Sequence, residues 1–200
     1  MSFKILLSSN NAHKLMEVRQ ILANEDIEVL TPKDLGLDVI DVVEDGETYI
    51  ENAIKKASAM AKITNLAVMS DDSGIEIKGL NGMPGIRSAR FAQEHGGYPE
   101  TFKYVLNELK GKSRDARFVC HIALANVEDG KILQFFGECK GQIGYAPQGD
   151  SGFGYDPLFI PNGSEKSFAV LTQDEKNAIS HRKNALDQLT SYLKVKGYIK

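Results

Sequence analysis

The sequence predicts an α/β fold with a central mixed, twisted sheet flanked by helices. Three observations carry that expectation. Short apolar runs of strand length alternate with segments of helical period through the first half of the chain. Two capping boxes, Thr48 with Glu51 and Thr172 with Glu175, mark where helices open. Midway along, two strand-like runs flank Asp129-Gly130, a hairpin signal that adds an antiparallel part to the alternating pattern.

In chain order, Phe3 to Leu7 is a short apolar run that reads as a buried strand, and "SSNNAH" after it is a polar loop. From Lys14 to Ala23, Leu15, Val18, Ile21 and Leu22 recur at helical spacing. Ile27 to Leu30 and Val39 to Val43 read as further strands. Thr48 opens a helix whose Ile50, Ala53, Ile54, Ala57 and Ala61 share one face, small enough to pack closely on a sheet. Leu66 to Met69 is a buried strand, with a Ser-Gly turn signal after the aspartates, and Ile75 to Ile77 is a short strand beyond it. Tyr98 to Leu109 is amphipathic at helical period, and Phe118 to Val127 and Lys131 to Cys139 form the hairpin arms. Gly149 to Gly154 is a flexible loop, Leu158 to Ile160 a short strand, and the helix opened by Thr172 runs to about Lys194.

The chain has 200 residues and a net charge of -3, which argues against a broad electrostatic footprint for duplex nucleic acid. A small phosphorylated ligand needs only a local group of cations. No apolar run approaches the ~18 residues of a membrane span, and the first apolar stretch is too short for a secretory signal. Cys120 and Cys139 lack metal-site spacing and are expected as free thiols in a reducing cytoplasm.

Four constellations carry chemistry. In "SSNNAHK" a loop leads into a helix N-terminus, where backbone N–H groups attract anions; Ser9 and Asn11 add side-chain hydrogen bonds and Lys14 a charge. The plain alternative is Asn11 as an N-cap with Lys14 solvated. Glu44, Asp71 and Asp72 follow predicted strands and form a carboxylate set suited to Mg²⁺ with phosphate; alternatively Glu44, Asp45 and Glu47 are only a polar loop. "GDSGFGYDP" lets backbone approach a ligand, with Phe153 and Tyr155 available to stack on a base, or is a surface turn with one aromatic in the core. In "EKNAISHRKNAL", Lys176, Ser180 and Arg182 do not share one tight helical face; a broken or kinked helix start brings them together with His181, and the plain alternative, the more usual one, is a solvated helix. Together these supply what a nucleoside triphosphate and Mg²⁺ need.

Ser9–Lys14 (S-x-N-x-x-K), Glu17, Glu44 with Gly46, "IENAIKKA", "SDDSG", "NGMPGIRSARFA", Gly152–Pro157 and "LTQDEKNAISHR" occur in an order that resembles the inosine triphosphate pyrophosphatase family across nearly the whole chain. The departures are Ser9 for a frequent Thr, His13 for a frequent Gly, and Arg87 for a common aromatic. The resemblance implies one domain over residues 1–200, elongated and two-lobed with a deep cleft, usually a homodimer. It implies hydrolysis of (d)ITP and XTP to monophosphate and pyrophosphate with Mg²⁺. It assigns the substrate to Ser9, Asn10, Asn11, Ala12, His13, Lys14, Lys56, Ser73, Phe153, Gly154, Tyr155, Asp156, Lys176, His181 and Arg182. Glu44 and Asp72 hold the metal, Asp72 is the proton acceptor, and Asp71 supports it. A 6-keto purine presents an acceptor where adenine presents a donor. A site lined by Arg182, Lys176 and His181 is therefore expected to favour ITP over ATP.

Overall fold

The computed structural model describes residues 2–38, 40 and 42–200. A seven-stranded mixed sheet runs in the order β2-β1-β3-β5-β6-β7, with β4 pairing β3. Its strands are β1 (Phe3–Leu7), β2 (Ile27–Leu30), β3 (Ala67–Ile77), β4 (Pro84–Gly85), β5 (Asp115–Ala125), β6 (Leu133–Ile143) and β7 (Phe159–Pro161). The helices are α1 (Ala12–Ile21), α2 (Tyr49–Ala61), α3 (Ser88–Glu94), α4 (Tyr98–Glu108), α5 (Gln173–Ile179) and α6 (His181–Val195). None is long and apolar enough to cross a membrane among the described residues. The chain divides into two compact units. The first comprises Met1–Asp72, Cys120–Gly137 and Arg182–Lys200; the second comprises Ser73–Val119 and Glu138–His181.

In the first unit the two-residue period of a strand sorts side chains to the two faces of the sheet. Ile5, Leu7 and Met69 pack with Ile122 and Leu124 against Val18 and Leu22 of α1 and Ala185, Leu186 and Leu189 of α6. Leu6 and Val68 face the other way, with Ala123 and Ala125, against Ala53, Ala57 and Met60 of α2. The small residues of α2 face the sheet as expected, and Thr48 and Glu51 close their capping box. In the second unit Ile75, Ile77, Phe102, Val105, Phe118, Phe159 and Phe168 share one core. Phe118 stacks on Phe168 at 5.8 Å, and Phe159 meets both edge-on.

Several expectations are corrected. The described residues of the predicted 39–43 strand, Ile40, Val42 and Val43, are not strand; Val39 and Asp41 lie outside the described residues. Ile40 packs instead against the cluster under α2, so its burial is met without a ladder. The turn expected after the aspartates is absent: β3 continues unbroken through Asp71, Asp72, Ser73 and Gly74. Asp129-Gly130 does turn, with the Lys131 amide donating to the Glu128 carbonyl at 3.1 Å. The strands, however, stop at Ala125 and resume at Leu133, so the connection is longer than two residues. Asn126 pins it by donating to the carbonyls of Ala61, Thr64 and Leu66. The C-terminal helix is two helices, separated at Ser180, whose ψ of 156 is extended. Cys120 and Cys139 are free and buried, one in each unit's core.

Candidate active site

The predicted site residues fall into two groups, one in each unit. The first group sits where the sheet changes direction. β1 pairs in parallel with β2 on one side and with β3 on the other, Leu6 opposite Val68 and Leu7 opposite Met69. The chain leaves β1 through α1 to one side and returns through α2 to the other. The carboxyl end of β1 and the stretch of β3 just beyond Met69 therefore flank a topological switch point, the usual ligand position in open α/β sheets.

Asp71 and Asp72 lie in the middle of β3, just past the last residue paired with β1, and point to opposite faces of the sheet. Asp71 continues the face of Met69, towards α1 and α6. Its Oδ2 lies 3.1 Å from Lys14 Nζ and accepts from Arg182 Nη2 at 3.0 Å and Nε at 3.3 Å, with Cys120 Sγ 3.8 Å away. Its Oδ1 is buried with no hydrogen-bond partner among the described residues. Burial opposes the charge of Asp71, but Lys14, Arg182 and Lys56 outweigh it and hold the carboxyl well below the usual carboxylate range. Burial and the Asp71 charge push the Cys120 thiol up to about 12, so it is a neutral, inert neighbour.

Asp72 continues the face of Val68, towards α2. Asn52 Nδ2 donates to its Oδ2 at 3.2 Å, and Lys56 Nζ stands 3.9 Å from its Oδ1. The Lys56 ammonium is also 2.7 Å from Glu44 Oε1 and donates to the Asp71 carbonyl at 2.8 Å. Burial raises the Asp72 pKa; Lys56, Lys14 and Asn52 oppose that shift, and Glu44 adds to it. Lys56 is itself raised: burial disfavours its charge, but Asp72, Asp71 and Glu44 outweigh burial.

Glu44 and Asp72 already converge on one cation, the Lys56 ammonium. They offer hard oxygen donors of the kind Mg²⁺ uses with phosphate oxygens and water. Among the described residues no group of three or more His, Cys, Asp or Glu could hold a metal ion. Two carboxylates suffice for a cation whose other ligands are phosphate and water, so the residues present fit Mg²⁺.

The Ser9–Lys14 segment takes the N-cap alternative, but without its solvated lysine. Asn11 caps α1, its Oδ1 accepting from the amides of His13 at 3.0 Å and Lys14 at 3.1 Å. Ser9 Oγ accepts from the Asn11 amide at 3.2 Å. Those amides are thus occupied by the loop itself. Lys14, however, is not solvated: its side chain is drawn onto Asp71. Asn10 and Asn11 of the loop and Ala12 and His13 at the start of α1 are exposed.

The second unit gathers the residues expected at the nucleoside end. Lys176 Nζ lies 2.6 Å from Asp156 Oδ2, both buried, and 4.9 Å from the centre of the Phe153 ring. Asp156 Oδ2 also accepts the Phe153 amide at 2.9 Å, which closes the glycine loop. His181 stacks on Phe118 at 4.8 Å. Tyr155, expected as a stacking candidate, is 2% exposed and donates to the Ser88 carbonyl at 3.0 Å; it is the aromatic tucked into the core. Phe153 is half-buried, with Gly154 beside it. Gly152 has a φ of +74, and a Cβ there would stand 2.2 Å from Asp156 Oδ2. Gly152→Ala is therefore expected to push Asp156 off Lys176, raise KM for ITP, and destabilise by about 1–3 kcal/mol. Thermal unfolding and steady-state kinetics check this.

Arg182, expected to read the purine, is fully buried in the first unit, with its guanidinium bonded to Asp71 and Glu17. Ser73 follows Asp72 on β3 and belongs to the second unit. Sequence reasoning missed Asn52, which is fully buried and links the Gly46 amide, at 2.8 Å, to Asp72. It stands in the "IENAIKKA" run four residues before Lys56, on the same side of α2. Glu17, named with the family motifs but given no role there, stands on α1 three residues after Lys14.

The model of the Ham1 family matches residues 5–192. A protein of Clostridium perfringens (strain 13 / Type A) named "dITP/XTP pyrophosphatase" is 44% identical, over 96% of this chain and 97% of its own. One of the same name from Bacillus subtilis (strain 168) is 41% identical, over 94% and 96%. The solved structure of the Staphylococcus aureus Ham1 protein superposes with a TM-score of 0.82 at 38% identity, over 96% of this chain and 99% of that one. A motif order that spans the chain, a sheet with its acidic residues at the switch point and these matches agree: the chain belongs to the Ham1 family.

Proposed function

We propose that this protein hydrolyses deaminated purine nucleoside triphosphates, dITP, ITP and XTP, to the monophosphate and pyrophosphate. The observation that carries the proposal is the switch-point cluster of Asp72, Glu44, Lys56 and Lys14, in a chain whose relatives are named dITP/XTP pyrophosphatases. Glu44 and Asp72 would hold Mg²⁺, which supplies polarisation of the α-phosphate and neutralisation of its charge when bound. Lys14 and Lys56 offset the charge that grows on the pyrophosphate leaving group. Asp72 orients water and takes its proton as the oxygen bonds to the α-phosphorus and the bond to the bridging oxygen breaks. Its burial makes it more basic than an ordinary aspartate.

At the nucleoside end, Phe153 offers a ring to the base and Lys176 a donor for a 6-keto group, held in place by Asp156. The proposal extends to a homodimer in the cytoplasm, in keeping with the family resemblance and two free buried thiols. Turnover of ITP with Mg²⁺ and identification of products tests the reading. Pyrophosphate with inosine monophosphate is expected. Orthophosphate with inosine diphosphate would assign the chain to cleavage at the γ-phosphate and overturn it.

A further inference from the structure

Four side chains of alternating sign, three buried and Lys14 partly so, join α6, α1 and β3 inside the first unit. Glu17 accepts from Arg182 Nη1, Arg182 donates through Nη2 and Nε to Asp71 Oδ2, and Lys14 Nζ meets that same oxygen at 3.1 Å. Glu17, Arg182 and Asp71 are each no more than 1% exposed. Arg182 and Lys14 therefore share one carboxylate oxygen, while Asp71 Oδ1 takes no hydrogen bond among the described residues. Two cations on one oxygen repel each other. Glu17 balances Arg182, so the four charges sum to zero and Asp71 can hold Lys14 at the same time.

We propose that Glu17 is a positioning residue, which fixes Arg182 on Asp71 and thereby sets where the Lys14 ammonium meets the substrate phosphates. This role rests on the reading of Lys14 as a phosphate ligand. Glu17 and Lys14 are both on α1 but act on each other through Arg182 and Asp71, so their link is tertiary. Without the Glu17 charge, the pull of Arg182 on Asp71 Oδ2 is no longer balanced and the hold of that oxygen on Lys14 weakens.

A double-mutant cycle tests this on the full chain. Glu17→Gln keeps the shape and removes the charge. It is expected to lower kcat/KM for ITP about tenfold or more in the parent, and to change little in a Lys14→Ala background. The ITP:ATP ratio should stay put, because the effect travels to the phosphate end. Pyrophosphate affinity by calorimetry should show the same pattern: altered by Glu17→Gln in the parent, unaltered where Lys14 is alanine. A role confined to folding would lower activity by the same factor in both backgrounds, and that result would overturn the assignment. If Glu17→Gln does not fold, Glu17→Asp keeps the charge but shortens its reach to Arg182, and the same cycle is read with it. A parent that hydrolyses ITP but binds no pyrophosphate through Lys14 would sink the Glu17 role while sparing the activity. A parent with no ITP turnover would sink both.

Discussion

Asp72→Asn is expected to cut ITP hydrolysis by about 10²–10⁴-fold while the protein stays folded. The change removes one charge and almost no volume, and Asn52 stands ready to hydrogen-bond the new amide as it does the carboxylate. What is lost is the proton acceptor and one of the two carboxylates placed to hold Mg²⁺. The stability effect has the opposite sign. A carboxyl whose folded pKa is raised contributes stability that is present below its unfolded value and lost as pH rises through the folded one. The direction for Asp72 is upward, with burial as the main cause, so at neutral pH its charge is a cost in the metal-free fold. The asparagine variant without metal should therefore unfold at the same temperature as the parent or a higher one. Turnover within a factor of two of the parent would remove Asp72 from the chemistry.

Arg182→Ala should be the most destabilising single change at the site. It leaves Glu17 and Asp71 buried without their shared cation, a situation that costs about 3–5 kcal/mol. For a chain of this size that is a fall in Tm of roughly 10 °C. The acid limb should shift as well. In the parent the pKa of Asp71 is depressed by Lys14, Arg182 and Lys56 against the effect of burial, so its contribution is complete above the ordinary value of 3.8. That contribution is lost only as pH falls through the folded value. Without Arg182 the depression is smaller, and acid unfolding should begin at higher pH. Because the guanidinium is bound to Asp71 and Glu17, kcat/KM should fall for ITP and ATP alike. A selective loss for ITP, the result expected from sequence, would show that Arg182 also reaches the purine. A Tm within 1 °C of the parent would mean that the buried chain of charges is not formed in solution.

β1, β2 and the Thr48 and Thr172 capping boxes follow from patterns a few residues long, because apolar period and cap chemistry act over that range. The identities of Asp71, Asp72, Glu44, Lys14 and Lys56 as the charged residues of interest were equally local, carried by their place in quoted motifs. What the sequence did not disclose was direction. Ser73-Gly74 has turn chemistry, yet β3 runs on through it, because the polar side chains before it find partners on both faces of the sheet.

Asp71 and Asp72, adjacent in the chain, do not face each other. The strand's period of two sends Asp71 to α1 and α6 and Asp72 to α2, so each meets its own cations. Arg182 gave no sign in sequence of being interior, since its partners lie 165 and 111 residues away along the chain. By itself the sequence determined the residue types of the site, the strand and helix periods and the family. The tertiary structure alone decided which carboxylate pairs with which cation, because that depends on which sheet face and which helix meet, and ion pairs between distant segments leave no period in the chain.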